Sequence, residues 1–292
     1  MKSKFRMILI TAILSIMAII FIFPLVLTVS NSFMSEAEIS NNYDMIDSGD
    51  SGTYDKDSGD KYALMKLIPE VVVLQQYYNV LIKKSQFLYM FWNSVILTVP
   101  IVAGQTIIAS MAAYAFAKLK FKGRNQLFFI YLTVMLMPFQ VTLVPNYLVA
   151  DKLGLVNNYL SIILPGIFNT FGVFLLKQYM EQIPDSYIEA AKMDGAGHFQ
   201  IFFKIIMPMC RNGIAAMFIL LFIDNWNMVE QPLIFLQDVA KQPLSVYLSK
   251  IISGERGLAF AASTLYMLPM LLIFLYGENY LVEGIQRSGI KE

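Results

Sequence analysis

The sequence is poor in the residues that carry covalent and metal chemistry. One cysteine, Cys210, and one histidine, His198, occur in 292 residues. A single cysteine excludes an intrachain disulfide and leaves the redox compartment undetermined. A single histidine with no cysteine beside it cannot build a nitrogen–sulfur metal cage, so no metal site is expected. Nor is there an HExxH run or a Ser/His pair for a membrane-embedded hydrolase. His198 is read as a surface or partner-contact residue and Cys210 as a small buried one. No G-x4-G-K-[ST] run occurs, so the chain offers no phosphate loop for ATP. Charge is scarce as well. Only 15% of the residues are charged, against about 25% in soluble domains. The net charge of +1 says little about partners, and no nucleic-acid partner is expected.

What is abundant is apolar length. Hydrophobic residues make up 57% of the chain, and residues 7–35, 85–117, 125–150 and 153–176 contain no Asp, Glu, Lys or Arg. A membrane-crossing helix needs about 20 such residues. The expected class is therefore an all-α polytopic membrane protein. Six spans are expected, near 7–30, 88–116, 126–148, 158–178, 212–236 and 261–282. The fifth is the least clean, because it carries Asp224 and Glu230. Lys2, Lys4 and Arg6 precede the first run as in a signal peptide. That run is too long for an h-region and has no small-x-small cleavage site, so it reads as a retained helix.

Basic residues set the orientation. Lys118, Lys120, Lys122 and Arg124 lie between the second and third spans, and Lys177, Lys192, Lys204 and Arg211 around the fourth-to-fifth connection. With six spans these loops and the basic N-terminal tail fall on one side. Both termini are then expected to be cytoplasmic, in a prokaryotic plasma (inner) membrane. Residues 31–86 become an extracytoplasmic loop whose acidic centre holds DSGD twice, at 47–50 and 57–60. Asp55, Asp57, Gly59 and Asp60 lack the ligand set and distal Glu of a calcium loop, and a solvated loop is expected there. Residues 67–84 read as an interfacial amphipathic stretch, with Tyr77 and Tyr78 at headgroup depth.

The polar interruption at 181–208 is the most informative segment. Residues 189–208 read EAAKMDGAGHFQIFFKIIMP. Ser186 and Glu189 have capping-box spacing, so a short helix is expected over 187–193. Gly195 then supplies a C-cap or bend, and a second helical stretch over 198–207 leads to Pro208. Phe199, Phe202, Phe203, Ile205 and Ile206 give that stretch a greasy side needing cover. By itself this could be a helical hairpin resting on the protein's own underside.

The same segment resembles the cytoplasmic EAA loop of the permeases of binding-protein-dependent ABC importers. Glu189-Ala190-Ala191, Asp194-Gly195-Ala196, Phe202, Ile205 and Pro208 stand at that family's spacing. Met207 replaces its usual Leu, and Asn212 a frequent second Pro. Trp92-Asn93-Ser94, residues 113–124, residues 137–165 and Trp226-Asn227 with Pro232-Leu233 resemble the family's carbohydrate branch, the maltose-type smaller subunit above all. So does the tail at 284–292. The resemblance implies the transmembrane domain of a type I ABC importer, a single permease domain over 1–292. In it, 181–208 forms a coupling helix seated on a separate ATPase. The docking residues would be Glu189, Ala190, Ala191, Asp194, Gly195, Ala196 and His198, joined by Gln286, Arg287 and Lys291 of the tail. The implied partners are a second, non-identical permease, two ATPase subunits and an extracytoplasmic sugar-binding protein. ATP and Mg would be bound by the ATPase and no cofactor by this chain.

Charged groups within spans are costly and usually face a cavity or the bundle interior. Asp224, Trp226, Asn227 and Glu230 are therefore candidates for the substrate path, where a ring and polar groups suit a sugar. The alternative is structural, with these groups holding a broken helix or sitting at the outer interface. Met228 stands where the family usually has an acid after Trp-Asn. A self-contained secondary transporter or channel for a small solute is the competing function. Such folds usually show internal repeats, and no convincing repeat occurs here.

Overall fold

The structure is a computed structural model that describes residues 2–43, 66–83, 86–250 and 256–289. The acidic DSGD repeats and Lys291 lie outside the described residues. Among the described residues all regular structure is helical. In chain order the α-helices are α1 (Lys2–Asn31), α2 (Glu36–Tyr43), α3 (Gln75–Tyr78), α4 (Gln86–Lys118), α5 (Arg124–Met135), α6 (Phe139–Lys152), α7 (Leu160–Gly166) and α8 (Thr170–Glu181). They continue as α9 (Ser186–Met193), α10 (His198–Ile201), α11 (Met207–Met209), α12 (Arg211–Trp226), α13 (Glu230–Phe235), α14 (Leu244–Ser249) and α15 (Arg256–Gly289).

Among the described residues, four stretches are long and apolar enough to cross a membrane: Lys4–Asn31, Gln86–Lys118, Leu160–Glu181 and Arg256–Leu281. Two further pairs qualify only if each is counted as one bent span. Helices α5 and α6 meet at 97°, and the His198–Met209 stretch meets α12 at 76°. The expected third span, 126–148, is thus no straight rod. It breaks at Leu136-Met137-Pro138, where Pro138 is extended (ψ 136°) and opens α6. Proline cannot supply a backbone donor and disfavours helix in the residue before it. The expected fifth span, 212–236, also divides: α12 stops at Trp226 and a new helix begins at Glu230, with Pro232 in its first turn. Proline belongs at such starts, where its missing N–H would be unsatisfied anyway. Pro24, Pro100 and Pro269 stay inside α1, α4 and α15, as membrane helices tolerate.

The chain divides into two compact units. The first comprises Met1–Leu88 and Tyr247–Leu268. Its core is Met34, Ile39 and Tyr43 with Phe260 against them. Asn31 donates to the Tyr43 hydroxyl at 2.5 Å, and the Arg256 guanidinium lies 6.0 Å from the Tyr43 ring centre. Helix α1 gives this core little: no residue in its most apolar window is buried inside the protein.

The second unit comprises Tyr89–Val246 and Pro269–Glu292. Leu97 and Ile101 of α4, Ala150 of α6, Ile162 of α7, and Phe235 and Leu236 form one buried cluster. Small residues let the helices approach closely, which is how membrane helices gain packing energy. A Cβ on Gly172 of α8 would lie 3.2 Å from Ala109 of α4 and 3.0 Å from Met217 of α12. One on Gly213 of α12 would lie 2.7 Å from the Tyr179 ring. Helices α4, α8 and α12 therefore pack at backbone distance, and the chain between α8 and α12 is held at both ends.

Candidate coupling loop and membrane path

That held chain is the polar segment. The first helix of the pair, α9, starts one residue earlier than expected and without the capping box. Ser186 is its first helical residue and Asp185 its N-cap, with no side-chain capping bond. The Asp185 carboxylate is engaged elsewhere, accepting from Lys118 Nζ at 2.7 Å. That hydrogen bond holds the Asp185 carboxyl below its usual range. Backbone bonds from Ile188 and Glu189 to the Asp185 carbonyl, at 2.9 and 3.0 Å, start the helix instead.

The far end of α9 is as expected. Gly195 is left-handed, at φ 81°. Its N–H reaches Lys192 O at 3.0 Å, and the Ala196 N–H reaches Ala191 O at 2.9 Å. This pair of bonds is a Schellman ending, which only glycine enters without a Cβ penalty. After it Gly197 is extended, and Gln200 Oε1 accepts from its N–H at 3.2 Å. Helix α10 follows, and a π-helical turn over Phe202–Ile206 leads into α11.

Exposure along the segment sorts the candidate docking residues. Glu189, Ala190, Asp194, Gly195 and His198 are exposed and Ala196 is half-buried. Ala191 faces inward beside Ile188, so its small size serves packing within the chain. The greasy side of 198–207 is only partly covered. Phe202 and Ile206 are buried, whereas Phe199 is 72% and Phe203 59% exposed. Met193, at the end of α9, is 85% exposed. The Phe202 ring sits 5.2 Å from Tyr114 of α4. Beside it a cleft of about 250 Å³ is lined by Met111, Tyr114, Ala115, Leu119, His198, Phe199 and Phe202. Exposed Met193, Phe199 and Phe203 are large apolar groups of the kinds enriched at interfaces, which suits a protein partner. Gln286 and Arg287 fall on α15, with side chains outside the described residues.

The four candidate path residues do not share one environment. Asp224, Asn227 and Glu230 are exposed within this chain. Trp226 is 2% exposed. Its ring stacks on Phe222 at 5.4 Å and meets Phe91 edge-on at 5.6 Å, which makes it a core ring here. Asn227 donates to the Ile223 carbonyl at 2.9 Å and closes the end of α12. Glu230 accepts from Gln140 of α6 at 3.2 Å, so α13 carries its carboxylate to the start of the bent α6.

Sequence reasoning missed a polar lattice that fixes the chain after α13. Asn93 donates to Ala240 O at 2.7 Å and Gln242 O at 3.0 Å, and accepts from the Tyr159 hydroxyl at 2.8 Å. Ser94 Oγ accepts from the Leu244 N–H at 2.9 Å. Deeper in α4, Gln105 donates to Gly166 O at 2.7 Å and accepts from Asn225 at 3.2 Å. The Asn-Ser pair was visible as a family element, but its partners lie between 66 and 150 residues away and left no local signal.

Residues 105–285 match the family described as the binding-protein-dependent transport system inner membrane component. The chain belongs to this family. Such an inner membrane component is a multi-pass permease subunit and not an enzyme. The arabinooligosaccharides transport system permease protein AraQ of Halalkalibacterium halodurans is 30% identical over 226 residues, covering 76% of this chain and 81% of that protein. The lactose transport system permease protein LacG of Rhizobium radiobacter is 32% identical over 201 residues, covering 68% and 74%. A solved bacterial ABC transporter, involved in the import of the acidic polysaccharide alginate, contains a chain with TM-score 0.77 and 24% identity, covering 96% of this permease and 98% of that chain. That likeness, with the family match, gives the fold as the transmembrane domain of a type I ABC importer.

Proposed function

We propose that this permease carries a sugar, an oligosaccharide in class, across the plasma membrane, driven by ATP hydrolysed in a separate subunit. The sugar class is supported by the cargo named for the arabinooligosaccharide and lactose relatives. The observation that carries the coupling is α9. It is a short helix with an exposed Glu189-Ala190 and Asp194-Gly195 face, closed by a glycine that no internal packing demands. An ATPase groove is the surface that such a face fits in this family. The working complex has this chain, a second and non-identical permease, two ATPase subunits holding ATP and Mg, and an extracytoplasmic sugar-binding protein.

In this reading both termini, residues 181–208 and the tail from 284 are cytoplasmic. Residues 31–86 face the binding protein's side. Asp224, Asn227 and Glu230 line the path, with Trp226 as the packed wall behind them. Closure of the ATPase dimer displaces α9, and the displacement opens the path outward. Because coupling is reciprocal, α9 must contact the ATPase differently in its two states. The test is a mild-detergent purification of tagged protein from its native membrane with identification of what accompanies it. An ATPase with a phosphate loop and a second permease are expected. A chain that emerges alone, yet moves solute in liposomes without ATP, refutes the reading in favour of a secondary transporter.

A further inference from the structure

Lys118 is the last residue of α4, and 4% of its side chain is exposed. An ammonium group is costly to bury unless its donors are taken. Here Nζ donates to the Ile183 carbonyl at 2.5 Å and to Asp185 Oδ1 at 2.7 Å. Ile183 lies just after the end of α8, and Asp185 is the N-cap of α9. The ammonium therefore sits in the elbow between these helices. Its position in the last turn of α4 also suits that helix's dipole. On the other side of α9, the Tyr114–Phe202 ring contact touches α4 one turn earlier. One helix end thus grips the coupling segment before and after α9. Of the two grips, only the lysine is directional: aromatic rings can slide over each other, whereas a charged donor held by a carbonyl and a carboxylate cannot.

We infer that Lys118 is the pin that makes α4 follow α9, so that motion imposed on the coupling loop enters the membrane core through this residue. It is a positioning residue, touching neither cargo nor nucleotide. The inference rests on the proposed coupling role of α9. Asp185 is exposed on its outer side, 71% by side chain, so its bond adds direction at little desolvation cost. The Ile183 bond supplies the buried anchor. Gly172 then joins α4 to α8 and α12 at van der Waals distance, so a pull on α4 is shared among three helices.

The test uses the assembled complex, with Mg-ATP and orthovanadate as the only probe, and follows amide hydrogen exchange by mass spectrometry. With Lys118 present, trapping nucleotide should alter exchange both in the loop (residues 186–206) and in α4 (residues 100–118). In Lys118→Met the loop response should persist while the α4 response falls at least about fivefold, the lower end of typical coupling between sites. Lys118→Arg, which keeps a cation, should restore much of it. An undiminished α4 response in an assembled Lys118→Met complex overturns the inference. If that variant does not assemble, Asp185→Asn decides. It leaves the buried Ile183 bond in place and should still weaken the α4 response, and a wild-type response there overturns the inference equally. Absence of any loop response with Lys118 intact would instead refute the coupling role of α9.

Discussion

Replacing Gly195 separates a backbone requirement from a contact requirement, because the two predict different orders of damage. The residue sits at φ 81°, and an added Cβ would meet nothing within 4 Å inside this chain. Gly195→Ala therefore costs only the left-handed penalty, about 1–2 kcal/mol. Asparagine enters that region more readily, so Gly195→Asn should cost less. Gly195→Pro fixes φ near −65°, removes the N–H that reaches Lys192 O, and should cost about 3 kcal/mol or more. Helix α9 has eight residues and is too short to persist without its ends. A loss of about 1.4 kcal/mol shifts the closed-to-open balance of that end about tenfold. The assay is amide exchange at Ala196 together with substrate-stimulated ATPase activity of the reconstituted complex. Damage should rise in the order Gly, Asn, Ala, Pro, with stimulation abolished in the proline variant and membrane insertion unchanged. Normal stimulation in an assembled Gly195→Pro complex would refute the argument. So would an Ala196 amide in Gly195→Ala no more labile than in the unaltered protein.

Gly213→Ala should overpack α12 against Tyr179, where the new Cβ would lie 2.7 Å from the ring. The expected cost is about 1–3 kcal/mol, read as a lowered unfolding temperature in detergent, whereas Gly197→Ala, with nothing within 4 Å, should be silent. Asn93→Ala strips the Ala240 and Gln242 carbonyls of their donor and should destabilise by about 1–3 kcal/mol. Tyr159→Phe should cost less in the same melt, and the reverse order would reject the lattice as described. Asp224→Asn combined with Glu230→Gln should raise KM for uptake without loss of assembly, and unchanged kinetics would remove these residues from the path.

The parts of this fold that were legible in the sequence are those encoded locally. Long uncharged runs marked the straight spans, because bilayer thickness demands a fixed apolar length. Gly195 marked the end of α9, because a left-handed residue after a helix has a residue-type signature. Bends were less legible. The halves of a bent span are as apolar as a straight one, so hydropathy joins α5 to α6 and α12 to α13 alike. The signals that were present are Pro138, and Pro232 in a first turn, both better read as starts than as kinks. Asp185 shows a second limit. Its neighbour Ser186 and Glu189 have capping spacing, yet neither caps α9, and the Asp185 carboxylate at the N-cap is held by Lys118, 67 residues away. Trp226 shows a third. An aromatic beside charged residues suggested a binding surface, but Phe222 one turn earlier and Phe91 of α4 close over it, and nothing in its local window announces Phe91.

Helix α1 lends the protein almost no internal packing, for its most apolar window is wholly uncovered within the chain. Its side chains answer to lipid or to a neighbouring subunit, so what selection can act on along most of its length is solubility in hydrocarbon rather than fit. Drift among Ile, Leu, Phe, Val and Met there should be nearly free, and α1 should diverge between species much faster than α4. Conservation would then single out its end, where Asn31 and, just past the helix, Ser32 are buried.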